Sequence, residues 1–459
     1  MKIGSAHVAR RSKVGQTLSS VNPPGPSRLA HYNESWMKLP ATLRTLGYRN
    51  FQLFFGGQLI SLIGTWMQNI AQSWLVYRLT GSSVLLGAVA FAGQIPIFFL
   101  APLGGIVADR RSRRRIVIAT QTASMLLAFA LAALTLTGTV HVWHVFVLAS
   151  SLGAVNAFDI PARQSFQVEM VGKADLMNAI ALNSSMFNAS RVIGPAIAGI
   201  LVAAIGEGWC FFLNAVSYLA VITGLLLMNV EERQRGAPGI SPWASVMEGF
   251  GFVVRNMPVH AILMLLGVVS LAGMPYTTLM PIFADRILHG GPRAMGWLMG
   301  CAGVGALGGA LRLASRTELK GLGRWLPVAS FAFGATLIGF AWSRVFWLSA
   351  CILVLAGFGM MIEMASSNTL VQSMAPDELR GRVMSVYSMV FMGMAPFGAL
   401  LAGAAADRFG APWTVTGSGI VCMAAAFVYW TQLARIRGPA RQLIAAQRDP
   451  PVEESRRGR

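Results

Sequence analysis

Asp159, Arg191 and Glu363 are ionisable residues set within long apolar runs, where a charged group needs a partner, a wet cavity or a ligand. The two acids fall late in their runs. A carboxyl group there can hold and release a proton, or it can pair with arginines of a nearby loop. Arg191 falls near the middle of its run, with Asn183, Ser184, Asn188 and Ser190 close by in sequence. A cation so placed can bind an anionic or carbonyl-rich ligand, or it can form a structural pair inside its own bundle; both readings stand at this point. Gln58, Ser61, Thr65, Gln68 and Gln72 recur every three or four residues, which puts them on one face of an otherwise apolar helix. Lipid satisfies no polar group, so that face must see a cavity or another helix.

A second constellation is the stretch Gly105 to Arg115, reading G-I-V-A-D-R-R-S-R-R-R. Gly105 is expected to allow close helix approach, Asp109 to meet a helix N-terminus, and Arg110, Arg113 and Arg114 to offer donors to a carboxylate on a neighbouring helix. Contacts of this kind form in one conformation and break in another, which makes the stretch a candidate latch.

These residues require membrane-spanning elements to position them. Of 459 residues, 54% are hydrophobic and only 12% are charged, with mean hydropathy +0.57. A soluble domain carries about twice that charged fraction. Twelve apolar runs read as spans at 51–77, 84–108, 116–137, 142–163, 177–204, 209–230, 259–284, 294–314, 325–342, 345–370, 382–405 and 412–434. With this division, 31 of the 37 Lys and Arg fall in alternate loops, at the span ends beside them (Arg163, Arg312 and Arg382) and in the two tails. The positive-inside rule then puts both termini in the cytoplasm of a plasma (inner) membrane protein. The net charge is +19, and the basic residues behind it crowd that face, which argues against a nucleic-acid partner.

The basic, Pro-containing segment 1–50 lacks the apolar core of a signal peptide and reads as a disordered cytoplasmic tail. Cys210, Cys301, Cys351 and Cys422 are scattered singly, which implies neither a disulfide frame nor a metal site. No phosphate-binding loop, nucleophile triad or cofactor motif stands out, so an enzyme has no positive support.

The chain also repeats. Gly81–Gly87 resembles Gly290–Gly296 at an offset of 209, and Asp159 is matched by Glu363 at an offset of 204. Asp175-Leu176 is matched by Glu378-Leu379. The fold class expected is an all-α polytopic membrane protein with twelve transmembrane helices in two pseudo-symmetric six-helix bundles. Its parts are a basic tail 1–50, an N-terminal bundle 51–230, a linker 231–258, a C-terminal bundle 259–434 and a cytoplasmic tail 435–459. Trp243, Val246, Phe250 and Val253 fall at helical spacing in the linker, which predicts an amphipathic helix on the inner membrane surface. Gly403-Ala-Ala-Ala-Asp407-Arg408 repeats the start of the latch without its arginine pair and reads as helix-end punctuation.

The pattern Gly105-x3-Asp109-Arg110-x2-Arg113-Arg114 resembles the signature loop between helices 2 and 3 of the major facilitator superfamily, with Ser112 where that family usually has Gly. Gly194, Pro195 and Gly199 resemble its helix 5 antiporter motif, with Ala181, Ser190 and Ala198 in place of three glycines. Asp159-Ile-Pro-Ala-Arg-Gln164, Leu182-Asn-Ser184 and Phe187–Pro195 resemble the branch containing the enterobactin exporter and macrolide efflux pumps. The resemblance implies a secondary active transporter that exports small amphipathic, siderophore- or drug-like molecules by alternating access with proton antiport. An importer or uniporter of a small metabolite on the same fold is the alternative.

It also implies that helices 1, 4, 7 and 10 surround the cavity, which favours cavity lining by the helix 1 stripe with Asn188 and Arg191. By the same resemblance, Asp159 pairs with Arg113 or Arg114, and Glu363 with Arg312 or Arg316. Met360, Met361, Met364, Met384, Met389, Met392 and Met394 read either as an adaptable apolar wall or as plain membrane core. The partners implied are a small-molecule substrate, protons and membrane lipid, with no cofactor and no metal.

Overall fold

The computed structural model describes residues 45–171, 175–228, 242–316 and 321–448. The expected tail segments 1–44 and 449–459, and the linker before Pro242, lie outside the described residues. The first six spans are α1 (Arg49–Thr80), α2 (Ser83–Arg110), α3 (Arg113–Leu136), α4 (Val142–Val171), α5 (Leu176–Ile205) and α6 (Glu207–Leu227). The linker helix is α7 (Pro242–Arg255). The last six spans are α8 (Met257–Ile287), α9 (Gly291–Ala314), α10 (Leu322–Trp342), α11 (Phe346–Met374), α12 (Asp377–Phe409) and α13 (Ala411–Arg448).

Eleven of these twelve spans are both long and apolar enough to cross a bilayer. The twelfth, α1, has 32 residues, and its polar stripe lowers its hydropathy below that of the rest. Helix ends follow local chemistry. Gly81 closes α1 in the left-handed region at φ 60°, and the Ser82 hydroxyl caps α2 by accepting from the Leu85 amide. Ser112, the departure from the family loop, caps α3 by accepting from the Arg115 amide. A glycine could not supply that oxygen.

α8 is a broken helix. Its α-helical start gives way to a π-turn at Val269–Gly273 and a 3-10 turn at Met274–Thr277, with a second π-turn at Phe283–Ile287. Pro275 and Pro281 lack the N–H that regular α-helical bonding needs, which accounts for the irregular middle. α13 continues to Arg448 instead of ending near 434. Ile436 is buried and Leu443 and Ile444 pack partly against the core, so tertiary contact prolongs the helix past the span.

The packing is two-fold repeated. In the first half α1 packs on α5 and α6, α2 on α4, and α3 on α4 and α6. In the second, α8 packs on α12 and α13, α9 on α11, and α10 on α11 and α13, which is the same scheme six spans later. The buried positions repeat too. Val117, Thr120, Gln121, Ser124 and Ala128 of α3 recur at an offset of 209 as Leu326, Ala329, Ser330, Phe333 and Leu337 of α10, all buried. Ala149, Asp159, Ala162 and Phe166 of α4 recur at 204 as Leu353, Glu363, Ser366 and Leu370 of α11, again all buried. The halves meet through α5 on α9 and α2 on α12.

The stripe expected on the linker helix is divided, with Phe250 exposed and Val253 buried. Gly249 and buried Val253 turn inward, with Gly249 set against the Arg382 backbone of α12 and Glu248 ion-paired to Arg382. Met247, Phe250 and Val254 are the exposed apolar side. Trp243 is outside the side chains described.

Candidate functional site

Arg191 stands where the two halves join. Its guanidinium lies 5.8 Å over the Trp66 ring of α1 and 4.0 Å from the Met360 Sδ of α11. Gly303 of α9 closes against the Arg191 backbone, and Trp66 is edge-on to Phe187 at 5.6 Å. Tyr276, on the irregular stretch of α8, is fully buried without a hydrogen-bond partner and within electrostatic reach of Arg191. No carboxylate pairs with Arg191 among the described residues. Its neighbours therefore supply π density, a soft sulfur that accepts from one Nη, and a phenol, and the other guanidinium N–H groups have no partner among the described residues. Of the two readings of Arg191, an ion pair within the N-terminal bundle is not made among the described residues, while the Trp66 ring of that bundle gives it a cation–π partner.

The stripe on α1 goes elsewhere. Gln58, Ser61 and Gln68 are buried within the first bundle, and the Gln68 Oε1 accepts from Asn214 of α6 at 2.6 Å. Ser217 continues that network through Asn214, while the Thr65 hydroxyl donates to the Ser61 carbonyl. For Gln68 the expectation of cavity lining is corrected to interhelical bonding. Gly57 and Gly64 bring α1 into close contact with α6 at Ala220, Asn214 and Ser217. Gln72 is only partly covered, and Gln58 keeps an unpaired buried oxygen. The face of α1 that does meet α5 carries Trp66, admitted by Gly194, and aromatic rather than polar residues mark it. Asn188, also on α5, is buried and donates to the Ser184 carbonyl.

The two acids part company. Asp159 accepts from Thr120 at 2.8 Å, Gln121 at 3.0 Å and Arg163 at 3.1 Å. Its expected pairing with Arg113 or Arg114 is not made, because Arg163, one helical turn away, and α3 already fill its acceptor sites. Glu363 is 1% exposed and, among the described residues, makes no ion pair and has an Oε1 without a partner. Its expected pairing with Arg312 or Arg316 is also absent. The repeat gives the reason: Thr120 has become Ala329, Gln121 has become Ser330, which donates to its own helix at Leu326, and Arg163 has become Ser367.

In the latch, Arg113 is buried and bonds the Ser165 carbonyl at 2.9 Å and Glu169 at 3.1 Å, both on α4. Glu169, missed in the sequence, takes the role assigned to Asp159. Arg114 bonds the Leu225 and Leu226 carbonyls and so caps the end of α6. Asp109 is half exposed and stands 3.7 Å from Arg113, and Arg110 is exposed. Gly105 has open space beside it. The close approach occurs one residue earlier, at Gly104 against the Ala157 carbonyl.

The halves touch most closely through two symmetry-related glycine pairs. Gly199 of α5 faces Gly296 of α9, where a Cβ on Gly296 would stand 2.5 Å from the Pro195 carbonyl oxygen. Gly403 of α12 faces Gly87 of α2, where a Cβ on Gly403 would stand 2.5 Å from the Ser83 carbonyl oxygen. Offsets of 209 and 204 convert one pair into the other. The helix 5 motif and the stretch read as punctuation at Gly403 are thus the same device.

Beyond them, Tyr77 at the end of α1 donates to Asp285 of α8 at 2.7 Å, and Arg286 donates to the Gly81 carbonyl at 3.2 Å. The named contacts between halves run from this end to mid-height, at Phe98 with Gly393 and Arg191 with Gly303. The arginine-rich end has no such clasp among them. Of the methionines, Met360 is buried, Met389 and Met392 are exposed, and Met361, Met364, Met384 and Met394 are intermediate.

Twelve long helices in two repeated halves, joined by glycine contacts around a free arginine, define a transporter of the major facilitator type. The chain belongs to the family described as transmembrane secretion effector, which matches residues 41–455. It is 26% identical over 389 residues to the staphyloferrin A transporter of Staphylococcus aureus, covering 84% of this chain and 97% of that one. It is 28% identical to the multidrug efflux pump Tap of Mycolicibacterium fortuitum, over 74% of this chain and 85% of the pump. Among solved structures, a bacterial homolog of the human lysosomal transporter Spinster, inward-facing and occupied, superposes with TM-score 0.67 at 13% identity. It covers 84% of this chain and 96% of that one. These names and structures agree with a membrane transporter and not an enzyme.

Proposed function

We propose that the protein exports small amphipathic molecules, siderophore- or drug-like, by alternating access coupled to proton antiport. The observation that carries this reading is that a guanidinium and a carboxyl group meet the same stretch of α11, neither of them in an ion pair among the described residues. Arg191 touches Met360, and Glu363 lies one turn further along the same helix, buried and unpartnered. A group with no fixed counter-ion can take up a proton or a ligand without first breaking a native pair, unlike Asp159. Relatives named as siderophore and drug transporters support the cargo class.

In this account Arg191, Trp66, Phe187 and Tyr276 receive substrate, Glu363 carries the proton, and the bundles 51–230 and 259–434 rock about the glycine pairs. The arginine-rich face is cytoplasmic by the positive-inside rule, in an inner membrane with both termini inside. The contacts at Tyr77, Asp285 and the glycine pairs then describe a transporter closed to the outside. The Arg113–Glu169 and Arg114–α6 bonds hold the cytoplasmic ends of the first bundle together as it moves, and Asp109 is the latch member left to engage in the opposite conformation.

The test is uptake of labelled siderophores and amphipathic drugs into energised inverted vesicles. Accumulation abolished by a protonophore is the expected result. Accumulation only in right-side-out vesicles would reassign the protein to import.

A further inference from the structure

The C-terminal half holds a second binding feature that the transport account does not use. Arg312 sits in the last turn of α9 and Arg316 just past its end, on the arginine-rich face, and neither has a carboxylate partner among the described residues. Their stems, with Leu313, Leu322, Phe358 and Ile362, line a cavity of about 110 Å³ between α9, α10 and α11. That is room for several water-sized groups. Its walls are almost wholly apolar, and the polar exception set deep in them is the Ser366 hydroxyl, fully buried and without a hydrogen-bond partner. Trp325 stands at the same place, 45% exposed, with the Arg316 guanidinium 5.0 Å over its ring.

We infer that this is a site for an anionic phospholipid. The arrangement matches the molecule part by part. Long arginine stems lie along apolar walls while their heads stay at the headgroup level, and two such heads a turn apart suit a phosphodiester. A tryptophan half in and half out marks the bilayer interface. Ser366 offers a donor to an ester carbonyl, and the apolar walls accept the start of an acyl chain. A free phosphate would use the guanidinium groups and leave the apolar cavity unfilled, which is why the lipid is the occupant chosen.

The corresponding place in the first half is closed. There Gly104 packs on Ala157, and the position matching Ser366 is Ala162. The site therefore belongs to one half and could hold the base of α9–α11 against the lipid while the other half moves.

The experiment uses the full chain purified from membranes containing phosphatidylglycerol, with extracted lipid counted by mass spectrometry. Thermal stability is followed in parallel as phosphatidylglycerol, phosphatidylcholine or inorganic phosphate is added. Wild type is expected to retain phosphatidylglycerol and to be stabilised by it alone. Removing each arginine should weaken retention roughly five-fold, so the R312Q/R316Q variant should lose most of it. The charge-matched R435Q/R441Q variant, altered elsewhere on the same face, should retain it. Ile362→Phe, which fills the cavity and leaves both charges, should also lose retention while keeping its stability in phosphatidylcholine. Equal retention by the R312Q/R316Q and R435Q/R441Q variants would overturn the site. Stabilisation by inorganic phosphate that competes with phosphatidylglycerol would overturn the lipid and leave a free-anion site.

Discussion

Asp159 and Glu363 occupy matching places in the two halves, yet Asp159 is held by three donors and Glu363 by none. Divergence on the neighbouring helix, Thr120 to Ala329 and Gln121 to Ser330, converted one buried acid into a fixed structural group and left the other free. The two should respond oppositely to neutralisation. Glu363→Gln removes a buried carboxyl that pairs with nothing, so thermal stability should hold or rise while proton-coupled transport is lost. Asp159→Ala takes the carboxylate from Gln121 and Arg163, while Thr120 keeps the Val117 carbonyl, and should cost roughly 1–3 kcal/mol of stability. Melting curves of both purified variants check the contrast, and equal losses would contradict it.

The glycine pairs set a second expectation. A leucine at Gly296 cannot coexist with the Pro195 carbonyl at the present helix separation, and a leucine at Gly87 meets Ala399 in the related place. Either substitution should separate the halves at the end opposite the arginines. Spin labels at that end of α5 and α9 should report a longer distance in Gly296→Leu than in wild type, with transport lost. The same substitution at Gly105, which has open space beside it, should be tolerated.

Tyr77 and Asp285 provide a milder version of the same test. A hydrogen bond to a charged group is worth about 1.5–3 kcal/mol, so Tyr77→Phe should shift the ratio of closed to open states by about ten-fold or more. Maleimide labelling of single cysteines placed at the end opposite the arginines should accelerate accordingly. Unchanged labelling would mean that this bond does not bear on closure.

Arg191→Gln should keep the fold, since no ion pair is broken, and should change which substrates are carried. Affinity for anionic substrates should fall by about ten-fold or more, as for loss of a charge-assisted bond, while neutral ones change less. Transport kinetics across an anionic and a neutral panel give the comparison.

Much of this architecture could be read in the chain. All twelve spans were legible as apolar runs, and eleven of the helices found there are long and apolar enough to cross a bilayer. The 209 and 204 offsets gave the repeated halves. What could not be read was which neighbour each polar group would choose. Glu169 and Asp159 are both acids late in the same helix, and only the rotation of α4 decides that Glu169 meets Arg113. Gly104 and Gly105 are adjacent, and a helix face separates their roles. The glutamine stripe showed correctly that α1 has a polar side, but cavity and helix interface look alike until α6 is in place. Trp66, Phe187 and Tyr276 carry no sequence signal of a site, because aromatic residues are ordinary in membrane helices.

The central claim is proton-coupled export through Glu363. It is tested most directly in proteoliposomes carrying a pH-sensitive dye and a pre-formed proton gradient. Adding a transported siderophore or drug to wild type should discharge the gradient in step with substrate movement, and Glu363→Gln should carry substrate without that discharge or not at all. Gradient discharge by Glu363→Gln at the wild-type rate, with substrate moving normally, would contradict the account.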